Sequence, residues 1–225
     1  KLKLNLVSIF AVAVIVFYSC APAYVPNVVN APMLTNKGEV QVALHTGTSG
    51  FDPQFAYAIT NNIGIMANAS FMNATSDSSD SFHKHSFGEF GVGYLKALGQ
   101  RGKFETFAGY GRGKIQALYE NNLWTSTSKV DISRFFIQPT IGLTSKVVDL
   151  GFSTRFSFVS ITDGTDMASQ VFAEPALTAK LGWDHIKIVS QLGISLPLNQ
   201  KLEIITYQPL LFSLGLMGNF GKVFK

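Results

Sequence analysis

Phe87-Gly-Glu-Phe-Gly-Val-Gly-Tyr94 and Phe104-Glu-Thr-Phe-Ala-Gly-Tyr-Gly111 are the two segments that decide the fold. In the first, Glu89 and two glycines fall on one face, whereas Phe90, Val92 and Tyr94 fall on the other. In the second, Glu105 shares a face with one phenylalanine and two glycines. A period of two residues predicts strands. Strands with one apolar face and one face of carboxylates and glycines are typical of a membrane β-barrel, whose apolar residues meet lipid while its polar residues line a lumen.

The composition favours the same class of protein. Charged residues make up 14% of the 225 residues, against about 25% in typical soluble domains, and hydrophobic residues make up 47%. Such a chain has too few charged residues to cover a wet exterior. No apolar run reaches the roughly 20 residues of a helical span. The net charge of +4 includes two N-terminal lysines, so we expect no nucleic-acid partner.

The N-terminus reads as an export signal. Residues 1–19 combine two lysines with a short apolar run, which predicts a secretory signal peptide. Cys20, the only cysteine, follows directly, as in a lipoprotein signal peptide, where the cysteine is acylated and becomes the new N-terminus. We therefore predict Cys20 as the lipidation site, carrying palmitate-type chains into outer-membrane lipid. The alternatives are an ordinary signal peptide cleaved near residues 21–23, or a lone buried thiol.

Residues 20–38 form the next predicted unit. They contain Pro22, Pro26 and Pro32 and show no periodicity, which predicts an extended, unpaired, lipid-anchored tether. The tether is expected to place the N-terminus at the periplasmic, short-turn side of the barrel.

Residues 39–225 repeat the alternation and predict a closed, antiparallel, up-and-down transmembrane barrel. The strands are expected to be joined alternately by tight turns and by longer polar connections, one of them at 118–128. Bacterial single-chain barrels have even strand numbers, and the alternation gives ten strands, with eight as the alternative. Prolines at 53, 139, 175 and 209 conflict with central strands unless they mark bulges near the rim. The predicted strands are 39–46, 54–60, 63–73, 87–94, 104–111, 130–143, 148–160, 171–182, 186–196 and 205–220.

Carried along the strands, the alternation predicts which side chains face the lumen. Acids and bases are nearly balanced among them, and opposite charges in a narrow interior must pair. We therefore predict an ion-paired filling and no wide aqueous pore, with the glycines at 91, 93, 109 and 111 making room for arginines. The predicted ion network is Glu89, Glu105, Arg134, Asp149, Arg155, Glu174 and Lys180. The other predicted inward residues are Gln41, His45, Gln138, Lys187 and Gln191.

Several stretches resemble the outer-membrane β-barrel lipoproteins of Bacteroidota-type bacteria. They are Cys20-Ala-Pro-Ala-Tyr-Val-Pro-Asn27, Asn30-Ala-Pro32, Lys37-Gly-Glu39, Phe107-Ala-Gly-Tyr-Gly111 and Phe135-Phe-Ile-Gln-Pro-Thr-Ile-Gly142. The resemblance implies a lipid-anchored barrel in the bacterial outer membrane. It carries no biochemical activity, and only Cys20 transfers as a functional position.

Three functions follow from these observations. The first is a non-enzymatic outer-membrane barrel with a structural or surface-interaction role. The second is a narrow channel or binding barrel for a small or lipidic ligand. The third is a soluble, lipid-anchored, lipocalin-like barrel, which would have an apolar interior. We expect no enzyme, since His45 and scattered serines define no nucleophile. We expect no cofactor, and no metal at His83, His85, Asp77 and Asp80, which read as a polar loop.

Overall fold

The structure is a computed structural model that describes residues 22–75, 82–121, 124–162, 167–198 and 205–221. No helix in these ranges could cross a membrane. The strands are β1 (Val40–Gly47), β2 (Gly50–Ala58), β3 (Ile63–Thr75), β4 (Phe82–Leu98), β5 (Gly102–Asn121), β6 (Trp124–Leu143), β7 (Val148–Thr162), β8 (Met167–Gly182), β9 (Ile186–Ile194), β10 (Leu196–Pro197) and β11 (Leu210–Phe220).

Ten of these strands form a closed ring. Strands β1 to β9 pair with their sequence neighbours, β9 pairs with β11, and β11 returns to β1 from Val40↔Phe220 to Gly47↔Ser213. The two-residue strand β10 lies beside β8. All pairings are antiparallel. The predicted ten-stranded up-and-down barrel is confirmed, and the eight-stranded alternative is wrong.

The two ends of the barrel differ. Four turns of three or four residues (59–62, 99–101, 144–147 and 183–185) lie at the end where β1 begins; we call this the short-turn end. The opposite, long-connection end carries the longest connection, 195–209. The predicted connection at 118–128 is wrong, because β5 and β6 stay paired to Asn121↔Trp124. Residues 205–209, predicted as strand, lie outside β11.

The prolines interrupt the ladder without bulges. Pro139 pairs with Thr106 on one side, but on the β7 side the pairing stops at Ile137↔Phe156 and resumes at Thr140↔Ser153 in unchanged register. Pro53 and Pro175 show the same two-position gap on one side only. Since a bulge adds a residue and shifts the register, the predicted bulges are wrong. Each of these strands loses pairing with one neighbouring strand, because proline has no N–H to donate to it.

The side-chain orientation follows the predicted alternation. Phe90, Tyr94 and Tyr110 are about half exposed on the outer wall, at 51%, 50% and 54%, while Glu89 and Glu105 are buried inside. Apolar residues therefore cover the outside and charged residues lie within. A lipocalin-like barrel needs the opposite arrangement, so that alternative is wrong.

The inward glycines accommodate aromatic rings. A Cβ at Gly93 would lie 2.5 Å from Phe107 Cδ1, and one at Gly109 would lie 2.5 Å from Phe136 Cζ. Gly91 faces Phe136 as well, and Gly111 faces Phe87. The predicted role of these glycines, space for arginines, is wrong. They let large apolar rings pack inside a lumen that is only partly polar.

Candidate functional site

Residues 22–38 run through the lumen of the barrel; we call them the luminal segment. They have no regular secondary structure, yet Tyr24, Val28 and Met33 are each no more than 1% exposed. The segment is extended, as its prolines predict. The prediction of an unpaired tether is wrong, because barrel strands surround it on all sides and bind it along its length.

The direction of the luminal segment is fixed by contacts at both ends. Tyr24 donates its N–H to the Thr206 carbonyl at 2.9 Å, and forms a parallel bridge with Tyr207 in the long connection. At the other end, Lys37 donates its N–H to Asn61 Oδ1, in a short turn, at 2.9 Å. The N-terminal side of the segment thus lies at the long-connection end. The predicted placement at the short-turn end is wrong for the described residues.

Wall side chains satisfy the carbonyl groups of the luminal segment. A buried backbone carbonyl needs a donor, and five nearly consecutive ones receive theirs from side chains on different strands. The donors are Arg155 Nη2 to Asn27 (2.9 Å), Gln54 Nε2 to Val28 (2.9 Å), Gln191 Nε2 to Val29 (2.8 Å), Gln138 Nε2 to Asn30 (2.7 Å) and Lys180 Nζ to Pro32 (3.1 Å).

The backbone N–H groups of the luminal segment also bind side chains of the wall. Val29 donates its N–H to Gln191 Oε1 at 2.8 Å, and Met33 donates to Glu105 Oε1 at 3.1 Å. Gln191 therefore holds both backbone groups of Val29, as a neighbouring strand would. The prolines reduce the number of donors that the lumen must satisfy, since proline has no N–H.

An ion network surrounds Asn27. Its Oδ1 accepts hydrogen bonds from Arg134 Nη2 at 2.6 Å and Arg155 Nη1 at 2.9 Å, while its Nδ2 donates to Glu89 Oε1 at 3.2 Å. Arg134 also binds Glu89 directly, and Arg155 Nε lies 2.6 Å from Glu174 Oε2. Two arginines and two glutamates thus balance in charge around one neutral amide, which fulfils the pairing that buried charges require.

Tyr24 covers this network toward the long-connection end. Its hydroxyl donates to Glu174 Oε1 at 2.6 Å and accepts from Arg134 Nη1 at 2.9 Å. Its ring stacks on Phe172, with centroids 4.8 Å apart. Beyond the ring lies an apolar layer that includes Phe87 and Ile132. Among the described residues, apolar side chains therefore separate the charges from that end.

A second polar group lies toward the short-turn end. Lys187 and Asp149 form an ion pair at 2.9 Å. Lys180 donates to Gln41 Oε1 at 3.2 Å as well as to the luminal segment. Glu39, where the segment joins β1, accepts from Asn219 of β11 at 2.9 Å. The junction therefore ties the segment to the seam at which the ring closes.

The structure divides the predicted ion network. Glu89, Arg134, Arg155 and Glu174 meet around Asn27, whereas Asp149 pairs with Lys187. Glu105 and Lys180 bind the luminal segment. All twelve predicted inward side chains are buried. Cys20 lies outside the described residues, and so do Asp77 and Asp80.

Sequence reasoning missed the residues of the luminal segment itself, above all Tyr24, Asn27 and Asn30. A signal was present, because residues 22–36 contain no charged residue and include five valine, methionine or leucine side chains. A solvated tether normally carries more polar groups.

The filled lumen leaves little free volume. Two small cavities within it measure about 20 Å³ each, one lined by Asn30, His45 and Lys180 and the other by Tyr24, His85 and Arg134. A cavity needs roughly 10–15 Å³ to hold one water molecule. Each cavity therefore has room for a single water and for no solute.

One arrangement near the long-connection end resembles a nucleophile and a base. Ser70 Oγ lies 2.9 Å from His85 Nε2, and His85 Nδ1 lies 2.9 Å from His83 Nε2. Ser70 is 1% exposed, and the adjoining cavity is the water-sized one described above. The cavity beside Ser70 therefore has no room for a substrate. Among the described residues, no three His, Cys, Asp or Glu side chains converge as metal ligands.

Comparison with known proteins identifies the fold alone. No family model matches the chain, and no curated protein matches it. The translocator domain of the autotransporter NalP from Neisseria meningitidis is similar, with a TM-score of 0.50 and 13% identity over 81% of this chain and 86% of that one. OmpT, an outer membrane protein of Vibrio cholerae, aligns over 81% and 96% of the two chains at 9% identity, with a TM-score of 0.24. The chain thus has the fold of an outer-membrane β-barrel.

Proposed function

We propose that this protein is a non-enzymatic, non-conducting barrel of the bacterial outer membrane, anchored by acylation of Cys20, with a structural or surface-interaction role. The observation that carries the proposal is the luminal segment, whose backbone is bound by side chains from five strands. A lumen occupied in this way serves as the interior of a folded protein. The apolar outer wall supports insertion into lipid.

The alternative of a narrow channel or ligand-binding barrel is disfavoured by the same observation. A channel needs a continuous wet path, and a binding barrel needs a cavity of several hundred Å³. The two cavities lined by luminal side chains measure about 20 Å³ each. A larger concavity of about 610 Å³ is lined mostly by exposed apolar residues of the outer wall, among them Leu143, Leu150 and Leu192, and so lies on the face expected to meet lipid. Either function would require the segment to leave, breaking its hydrogen bonds to the wall.

Conductance in planar bilayers tests the closed lumen. The purified full-length protein is compared with a variant that lacks residues 22–38. We expect no stepwise currents from the wild type and stable openings from the deletion, because only the deletion removes the segment from the lumen. Wild-type openings equal to those of the deletion would refute the proposal.

A second variant covers the case in which the deletion does not fold. Gln191→Leu combined with Gln138→Leu removes two side chains that hold Val29 and Asn30 and leaves the chain length unchanged. We expect brief openings from this variant. Heat-dependent gel mobility verifies that each sample is a folded barrel before recording.

Fatty-acid labelling tests the anchor. Wild type and Cys20→Ala are expressed with a labelled fatty acid, and membranes are fractionated. We expect label in the wild type only, recovered with the outer membrane. Equal labelling of both proteins would remove Cys20 as the site, while leaving the barrel proposal in place.

A further inference from the structure

We infer that the luminal segment is threaded with its N-terminal end toward the cell exterior, so that the chain preceding Pro22 is displayed on the cell surface. The inference rests on the proposed outer-membrane location and reverses the periplasmic N-terminus expected from the sequence. It also assigns a leaflet to the proposed lipid, which would lie in the outer one.

The first step is the polarity of the segment. Ala23 donates its N–H to Thr206 Oγ1 at 3.0 Å, and the backbone of Tyr24 exchanges hydrogen bonds with Thr206 and Gln208, both in the long connection. Toward the other end, Leu34 packs with Ala58 and Leu95, which border short turns. The segment therefore crosses the whole lumen before β1 starts.

The second step is the orientation of the barrel. Outer-membrane barrels place short turns in the periplasm and longer loops outside. Turns of three or four residues follow β2, β4, β6 and β8 at one end. At the other end the connections after β1, β3, β5, β7 and β9 have two, six, two, four and fifteen residues, and the long β5–β6 hairpin extends in that direction to Asn121↔Trp124. The end at which Ala23 and Tyr24 are bound is thus the extracellular one.

The third step is the distance that the chain between Pro22 and Cys20 can span. Cys20 lies two positions before Pro22, and two residues at full extension span roughly 7 Å. The hydrocarbon layer is about 25 Å tall at a barrel. The chain cannot return through the lumen either, since Val28, Val29 and Met33 already occupy it. Cys20 therefore cannot reach the periplasmic leaflet while the segment stays in place.

The composition of the segment agrees with its place in the lumen. Residues 22–36, which must pass through the lumen, carry no charged side chain, and Lys37 and Glu39 come only at the short-turn end. A neutral stretch is the part of the chain that a narrow lumen can admit at least desolvation cost.

Antibody access on intact cells tests the inference. An epitope tag is inserted between Ala21 and Pro22, and in separate proteins after Gln100 in a short turn and after Thr162, where β7 ends at the long-connection end. We expect the tags at Pro22 and Thr162 to be detected on intact cells, and the tag at Gln100 only after permeabilisation. A tag at Pro22 that behaves like the one at Gln100 overturns the inference.

A smaller change covers the case in which the tag prevents threading. Ala23→Cys is labelled with a membrane-impermeant maleimide, with Met167→Cys as the outer control and Gln100→Cys as the inner one. Met167 is 75% exposed at the start of β8. We expect labelling of Ala23→Cys on intact cells, as for Met167→Cys, and labelling only after permeabilisation would overturn the inference.

The control sites separate this inference from the proposed function. If the outer and inner controls differ as expected but the N-terminal probe is protected, the barrel proposal stands and the threading direction is wrong. If the controls do not differ, or the protein is absent from the outer membrane, the proposed function itself is wrong and the inference falls with it.

Discussion

At the scale of single residues, Arg155 is the charge that binds both the wall and the backbone of Asn27. It lies 2.6 Å from Glu174, 3.7 Å from Glu89, and donates to both the side chain and the carbonyl of Asn27. It therefore joins two wall carboxylates to the luminal segment. Removing one partner from a buried network is costly because the other partners remain buried and unpaired.

We expect Arg155→Met to destabilise the barrel by about 3–5 kcal/mol. The measurement is the urea dependence of the heat-modifiable band in detergent. Arg112→Met is the matched control, since Arg112 is exposed on β5 and should change stability by no more than about 0.5 kcal/mol. Equal urea midpoints for the two variants would contradict the role given to the network.

Gly93 shows how closely the inner wall is packed. A methyl group there would lie 2.5 Å from Phe107 Cδ1, whereas one at Gly88, on the outer face of the same strand, meets nothing nearer than 4.0 Å. We expect Gly93→Ala to cost about 1–3 kcal/mol through overpacking, and Gly88→Ala to cost far less.

Phe107→Leu provides the test of cause. If the Phe107 ring is the obstacle, Gly93→Ala combined with Phe107→Leu should lose less stability than the sum of the two single changes. All four proteins are compared by the same urea titration. Strict additivity would show that Gly93 serves its backbone conformation and not the ring.

At the scale of elements, the luminal segment behaves as an additional strand whose neighbours are side chains. Gln191 binds both backbone groups of Val29 at 2.8 Å. A buried backbone group that loses its partner costs about 1–3 kcal/mol. The segment should therefore respond to wall substitutions that never touch its own sequence.

We expect Gln191→Leu to speed hydrogen exchange of the peptide containing Val29 by about tenfold or more, since each 1.4 kcal/mol is a factor of ten. Hydrogen-exchange mass spectrometry of the protein in detergent measures it. Gln116→Leu is the control, because Gln116 is exposed on β5. Unchanged exchange at Val29 would mean that the segment is held by packing alone.

The strands could be predicted from the sequence, but the bonds that hold the luminal segment could not. Alternation indicates which face of a strand is buried, and it correctly predicted that Glu89, Glu105 and Arg155 point into the lumen. An extended segment bound by scattered side chains has no period. Asn27 looks like any loop asparagine until Arg134 and Arg155, more than a hundred residues away in sequence, are seen to meet it.

The prolines show the same limit of sequence reasoning. Pro53, Pro139 and Pro175 could be recognised as conflicts with a regular ladder, but the sequence cannot tell an inserted residue from a missing bond. In the structure the register continues across each gap. A proline thus interrupts the pairing of its strand with one neighbouring strand, while the pairing with the other neighbouring strand is kept.

At the scale of the whole molecule, the barrel and its luminal segment form one interior. The segment bonds to wall residues from β2 to β9, and Asn36 near its end donates to the carbonyl of Gly221, directly after β11. The final closure of the ring and the filling of the lumen therefore share a junction. We expect the segment to be in place in the folded state and not added to a finished pore.

The charges of the wall predict how the lumen would behave once emptied. Without residues 22–38, Glu89 and Glu174 would face Arg134 and Arg155 across a wet passage, so the deletion variant should show weak ion selectivity. Adding Glu89→Gln and Glu174→Gln leaves both arginines unbalanced and should make the openings anion-selective, because rings of like charge set selectivity. Reversal potentials in a KCl gradient measure this selectivity.

Asp131→Asn in the same deletion is the control. Ile132 and Arg134 are buried inside the barrel, and Asp131 alternates with them, so it lies on the opposite face of β6. The change should leave the reversal potential unchanged. A shift with Asp131→Asn equal to that of the double change would place the conducting path outside the predicted lumen.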